Sequence, residues 1–305
     1  MEDRHKLAMG PNGNGAVFEA LNANPTVRHV LEATDYVQII GVDNVMNRVL
    51  DPVYVGFMVA KDLDAAMKSC VKRDAKEPVG VLVKRAGKYD IIEYSEFTEE
   101  DAAAVVPETG QLKYNLGNIL VFILKTEKLM QLTLNGDSMN RLYHKAFKKI
   151  AYYDQDAKAL VTPKQPNAWK FELFIHNFLP FCGAGKLGVM KVKREDEFGP
   201  VKNAEGVDSP QSARELLYAQ ANRWVKHVIP DFETRSPLEI DTLLSYEGEG
   251  LEVLKNLDIH EHEYIHLGLI PELRETVQVD KVPSFIIQEP VSAAILIHEE
   301  VHVEV

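Results

Sequence analysis

Cysteine is scarce in this chain: only Cys70 and Cys182 occur among 305 residues. Two thiols cannot build a disulfide framework, and such sparing use suits a reducing compartment. Long apolar runs are missing too. No stretch approaches the roughly 20 residues needed to cross a bilayer. The opening "MEDRHKLA" has no apolar centre, so it does not read as a signal peptide. Basic charge is in deficit, with 34 Lys and Arg against 46 Asp and Glu, a net charge of −12. That field repels nucleic acid and anionic membrane surfaces. There is no repeat at a fixed period and no low-complexity tract. These absences predict a cytoplasmic protein with no nucleic-acid or membrane partner. An anionic ligand would have to be met by a local basic cluster.

What is present predicts an α/β protein. The length and the 46% hydrophobic content support one large domain, residues 1–235, and a smaller β-rich lobe, residues 236–305. "YVQIIGVDN" from Tyr36 to Asn44 and "NLGNILVFIL" from Asn115 to Leu124 read as buried strands, the first of a parallel sheet. "PVGVLVKR" and "YDIIEYSEF" flank "AGK" and read as a hairpin turning at Gly87. Helices are expected over "VFEALNA", Pro52 to Met67, Glu127 to Leu134 and Met139 to Lys149, and over the aromatic-rich "WKFELFIHNFLPF". Ser209-Pro210 pairs an N-cap residue with a first-turn proline, and apolar residues then recur at helical spacing to Val228. Alternating strands and helices point to a doubly wound sheet, whose ligands bind outside the carboxyl ends of the strands.

Asp43 stands at such an end. Its carboxylate suits either Mg²⁺, which prefers oxygen ligands, or the cap of a following helix. Lys191, Lys193, Arg194 and Lys202 cluster against the acidic background. They are either a solvated charged loop or the source of a lysine that reaches a phosphate. "GAGKLG" is no phosphate loop, because no Ser or Thr follows the lysine and Pro180 stands where the first glycine belongs. His260, His262 and His266 share strand parity in "HEHEYIH", which reads more readily as surface histidines than as a metal site. Near the start, "MGPNGNGA" packs glycines, asparagines and a proline into a bent backbone at a helix mouth.

Seven stretches then occur in a characteristic order: "MGPNGNGA", "VDN", "EPVGVL", "IIEYSE", "NLGN", "REDEFGPVKN" and "LLSYEGEGLE". Together they resemble the eukaryotic UDP-N-acetylhexosamine pyrophosphorylases, from about Met9 to Leu251. The resemblance implies a Rossmann-like nucleotidyltransferase with a mixed sheet of glycosyltransferase-A type. It also implies the reaction of UTP with N-acetylglucosamine 1-phosphate, giving UDP-N-acetylglucosamine and pyrophosphate, with Mg²⁺. A plain UDP-glucose or UDP-sugar pyrophosphorylase, or a non-catalytic UDP-sugar binder, are the alternatives. Carried over by position, Gly13 and Asn14 would meet the uridine and sugar. Gly80, Glu93 and Asn115 would bind the hexose, Lys202 would contact the phosphates as the catalytic lysine, and Asp43 would be the metal ligand. Two phenylalanines near the N-acetyl group correspond here to Phe174 and His176, which leaves the sugar preference open. The family's glycine-rich "LxGGxGTxLG" loop has no counterpart, so the resemblance implies an N-terminally incomplete sheet, with the missing segment as a potential partner.

Overall fold

The computed structural model describes residues 5–6, 9–134, 143–259 and 262–270. At its centre is a ten-residue strand, β5 (Leu116–Lys125). Its side chains alternate between two apolar layers, which is why the sequence there is nearly continuously hydrophobic. Phe122 and Leu124 face one layer, with Phe18, Leu82, Leu129 and Phe178. Val121 and Ile123 face the other, with Tyr54, Met58 and Met190.

On one side β5 pairs antiparallel with β2 (Ala65–Val71). On the other side it pairs with β1 (Tyr36–Ile40) along residues 121–125, and with β3 (Val81–Arg85) at Gly117. β4 (Lys88–Ile92) returns from β3 as a hairpin. Ala86 and Gly87 form its two-residue turn with φ of 48° and 78°, the left-handed pair such a tight turn requires. β10 (Leu187–Lys191) lies parallel to β2. The sheet is therefore mixed, as the resemblance implies, but this is the one parallel pair in it among the described residues, so it is not doubly wound.

Several local expectations are corrected. β1 is half-buried and antiparallel, not a buried parallel strand, because β5 is its pairing neighbour. The helix from Pro52 ends at Ala60 as α3 (Pro52–Ala60), after α1 (Val17–Ala23) and α2 (Pro25–Glu32). Asp62 takes a φ of 49° and breaks the helix, so Ala65–Met67 belong to β2. Short alanines buried on both faces hide that strand's period. Of the helix expected over Met139 to Lys149, residues 139–142 lie outside the described residues, and His144–Lys148 form β6. β6 pairs with β9 (Ala168–Glu172) as a ribbon, beside a smaller hairpin of β7 (Tyr152–Asp154) and β8 (Ala159–Val161). The aromatic stretch is thus a strand followed by a 3₁₀ turn, Ile175–Phe181, not an α-helix.

Other helices follow their local signals. α4 (Glu99–Ala103) is capped by the Thr98 hydroxyl, and α5 (Thr126–Leu134) follows β5 directly. The one-turn α6 (Arg194–Glu197) follows β10. The long α7 (Pro210–Val228) has Ser209 as its N-cap, and the Ser209 hydroxyl accepts from the Ser212 N–H. Ala221, Val225 and Val228 of α7 share a separate core with Phe232, Leu238, Leu251 and Ile265. Up to residue 270 the C-terminal lobe shows only two-residue strands, β11 (Glu239–Ile240) and β12 (Tyr264–Ile265), and 3₁₀ turns. The remainder of its expected span lies outside the described residues.

One buried ionic group ties these parts together. Lys68 of β2 is 0% exposed. Its ammonium donates to Asp51, the N-cap of α3, and to Glu197 of α6, each at 2.5 Å. Arg48 reaches Glu197 from 3.8 Å and pairs with Glu247 of the C-terminal lobe. No helix among the described residues is long and apolar enough to cross a membrane.

Candidate functional site

The glycine bend near the start seats on the segment after β9. The Leu173 N–H donates to the Asn12 carbonyl at 2.8 Å, and the Gly15 N–H donates to the Leu173 carbonyl at 2.9 Å. Asn14 Oδ1 accepts from the Ile175 N–H at 2.8 Å. Gly13 has a φ of +85°, and a Cβ there would lie 2.3 Å from the Leu173 oxygen. Glycine is thus required by the chain's own backbone, a reason the sequence did not reveal. Asn14 is exposed, with its oxygen engaged by Ile175.

Phe174 and His176 follow directly. Their rings stack with centroids 5.1 Å apart, and Phe174 also lies 5.0 Å from His144 of β6. His176 is 5% exposed. Burial, and then the neighbouring His144, depress its pKa from 6.5 to about 4, so it is neutral at pH 7. Its Nδ1 is 4.0 Å from Glu93 Oε1. With a neutral ring at that distance the contact is neither an ion pair nor a hydrogen bond.

Glu93 stands just past the end of β4, half-buried. Burial, and then Glu96, raise its pKa, while His144 and Lys202 oppose the rise. Gly80 makes room for it: a Cβ there would lie 2.8 Å from Ile91 Cγ2 and 3.1 Å from Glu93 Oε1. The Gly80 carbonyl accepts from the Asn118 N–H at 2.8 Å. Asn115 lies beside the end of β2, where its carbonyl accepts from the Lys72 N–H at 2.8 Å, and Asn118 adjoins Gly80 through its backbone N–H.

Beyond Asn118, β5 departs from regular strand geometry. Leu120 has a φ of 56°, and the β2–β5 register shifts opposite it, between Lys68 and Ser69. Asn118 Oδ1 accepts from the Leu120 N–H at 2.9 Å, and the Leu120 carbonyl accepts from the Gly41 N–H at 2.9 Å. Such bulges re-aim chain segments next to functional sites. This one joins the Gly80–Asn118 contact, through Leu120, to the Gly41 turn that carries Asp43.

Asp43 is exposed, and its carboxylate lies beside Gly41, where a Cβ would approach Oδ1 to 2.8 Å. The Asp43 carbonyl accepts from the Val201 N–H at 2.8 Å, which brings Lys202 alongside. The exposed Lys202 is in turn near enough to act on Glu93. Asn14 thus adjoins Phe174 and His176 through its bond to Ile175, His176 lies 4.0 Å from Glu93, Glu93 packs against Gly80, and Lys202 follows the residue that bonds the Asp43 carbonyl. No cluster of three metal-ligating side chains occurs among the described residues. Of the three histidines of "HEHEYIH", His260 lies outside the described residues and His266 stacks on Tyr264 with centroids 5.5 Å apart.

A mixed sheet between two apolar layers, carrying a glycine bend, a half-buried acid and an exposed lysine, defines an α/β protein of the nucleotidyltransferase-like class. Comparison with known proteins narrows this. A family described as UTP–glucose-1-phosphate uridylyltransferase matches residues 1–233. The chain belongs to that family.

Among its relatives is the UDP-N-acetylhexosamine pyrophosphorylase-like protein 1 of Xenopus tropicalis, 34% identical over 87% of this chain and 55% of the relative. UDP-N-acetylglucosamine diphosphorylase 2 of Arabidopsis thaliana is 35% identical over 83% of this chain and 50% of its own length. Among solved structures, the uridine diphosphate N-acetylglucosamine pyrophosphorylase of Trypanosoma brucei, in complex with inhibitor, is similar with a TM-score of 0.70 and 30% identity. That match covers 87% of this chain and 57% of the other. The chain thus spans about half the length of the curated relatives it matches.

Proposed function

We propose that this cleft binds a UDP-sugar and serves uridylyl transfer: UTP and N-acetylglucosamine 1-phosphate give UDP-N-acetylglucosamine and pyrophosphate. One observation carries the reading. The Gly13 bend seats on the Leu173 backbone beside Phe174 and His176, His176 lies 4.0 Å from the Glu93 carboxylate, and Lys202 is among the charges that act on Glu93, which supports a shared site for residues remote in sequence. The relatives' names supply the substrate class. The two free cysteines agree with a cytoplasmic setting.

The chemistry suits what the cleft offers. An oxygen of the sugar phosphate attacks the α-phosphorus of UTP in line; the bond to the β-phosphate oxygen breaks, and pyrophosphate leaves. A phosphomonoester is already ionised near neutral pH, so no strong base is required. Positioning and charge neutralisation remain. Glu93 accepts hydrogen bonds from sugar hydroxyls, and Lys202 neutralises phosphate charge. Asp43 would hold Mg²⁺: one exposed carboxylate that makes no hydrogen bond or ion pair among the described residues, completed by substrate phosphates, fits that ion's habit. When bound, Mg²⁺ would supply further charge neutralisation at the phosphates.

Pyrophosphate release by the purified chain from UTP and either N-acetylglucosamine 1-phosphate or glucose 1-phosphate tests the reading. Release with the N-acetylated sugar is expected. No release with either sugar would overturn it.

A further inference from the structure

Asp43 and Lys202 lie on segments remote in sequence, and one carboxamide sews those segments together. Asn44 is 4% exposed. Its Nδ2 donates to the Glu197 carbonyl at 2.8 Å and to Asn47 Oδ1 at 2.9 Å. Its Oδ1 accepts from the Gly199 N–H at 2.9 Å and from the Met46 N–H at 3.2 Å. A primary amide has two donors and one doubly accepting oxygen, so its whole capacity is spent inside the protein. None is left for a ligand.

Backbone bonds continue the seam. The Val45 N–H donates to the Gly199 carbonyl at 3.2 Å, Asn44 bridges Pro200 in antiparallel fashion, and the Val201 N–H reaches the Asp43 carbonyl at 2.8 Å. Lys68 holds the Glu197 carboxylate while Asn44 holds the carbonyl of the same residue.

We propose that Asn44 is a positioning residue. Its carboxamide sets the spacing between the Asp43 carboxylate and the Lys202 ammonium, and so determines how that pair grips the metal-bound triphosphate of a nucleotide. The inference rests on the uridylyltransferase reading. Asn44→Asp is the sharpest perturbation: it keeps the shape and both accepted bonds. In place of the donor it sets an oxygen against two other oxygens, the Glu197 carbonyl and Asn47 Oδ1, and the seam loosens without losing volume.

The test is calorimetric titration of UTP into wild type and N44D, in excess MgCl₂ and in EDTA, with cooperative urea unfolding as the check on folding. Wild type binds UTP more tightly with Mg²⁺. In N44D that Mg²⁺-dependent gain falls about tenfold, the scale of losing support behind a metal ligand, while affinity in EDTA barely changes. The same gain in both proteins, or an equal loss with and without Mg²⁺, would overturn the positioning role and leave the uridylyltransferase reading standing. A wild type whose UTP affinity ignores Mg²⁺ also overturns it. A wild type that binds no UTP in either buffer overturns both. If N44D does not fold, N47A removes one Nδ2 partner together with the Asn47 bond to the Gly41 carbonyl, and N47D, which keeps the acceptor for Asn44 and loses only the Gly41 bond, is its control: a selective loss of the Mg²⁺-dependent gain larger in N47A than in N47D supports the role, and no such difference refutes it.

Discussion

Replacing Lys68 with methionine should be among the most damaging single changes outside the cleft. The ammonium is fully buried and holds two carboxylates at 2.5 Å each, Asp51 and Glu197. Methionine fills similar space but leaves both acids without their shared cation. Removing one partner of a buried ion pair costs about 3–5 kcal/mol, because the remaining charge stays desolvated. Residual support trims the loss toward the lower end of that range. Asp51 still accepts from the Val53 and Tyr54 N–H groups, at 2.9 and 3.3 Å. Glu197 still has Arg48 at 3.8 Å. The assay is equilibrium urea unfolding followed by circular dichroism, comparing K68M with wild type and with K68M/E197Q. K68M should lose about 3 kcal/mol, and the second change should restore part of it. A loss below about 1 kcal/mol, the scale of an exposed pair, would refute the claim that this ion group anchors α6 beneath the cleft.

Further outcomes follow from the same geometry. Gly13→Ala forces a side chain into a φ of +85° and to 2.3 Å from the Leu173 oxygen. It should lose at least about 1–2 kcal/mol in urea unfolding from left-handed strain alone and weaken UDP-sugar binding; an unchanged affinity would contradict the seating of the bend. His176 has its pKa depressed from 6.5 to about 4, so between these values the unfolded chain binds more protons and stability falls as the pH drops. The full difference is worth about 3 kcal/mol, and unfolding curves at neutral and acid pH should show this component missing in H176F; equal acid sensitivity in both proteins would sink the assignment. Glu93, with its pKa raised, works in the opposite sense: its penalty grows as the pH rises through its folded value. Glu93→Gln should therefore leave melting intact or improved while weakening UDP-sugar binding by about 1.5–3 kcal/mol, the scale of hydrogen bonds to a charged group; calorimetry showing no loss would remove Glu93 from the sugar site.

Much of this was legible where local chemistry decides the outcome. The AGK turn, the Ser209-Pro210 start of α7 and the apolar run of β5 each carry their reason within a few residues. Segments shaped by distant partners were misread. β2 hides its period because it is buried on both faces, and the aromatic stretch forms a strand because β6 pairs with it. The site residues came from a resemblance between motifs, and several of them touch one another: Glu93 packs against Gly80 and lies 4.0 Å from His176, which stacks on Phe174. Asn44 stayed invisible because its bonds across the fold, such as the one spanning 153 residues, leave no local trace, while its short bonds to Met46 and Asn47 look like an ordinary turn. Of the two asparagines of "NLGN", Asn115 bonds Lys72 and Asn118 bonds Gly80, both through their backbone.

A crystal structure of the chain with UDP-N-acetylglucosamine tests the single cleft most directly. The hexose should lie against Gly80 and Glu93, the diphosphate between Asp43 and Lys202, and the uracil beside the bend at Gly13. Ligand density in any other place, or Glu93 and Lys202 contacting different molecules, would contradict it.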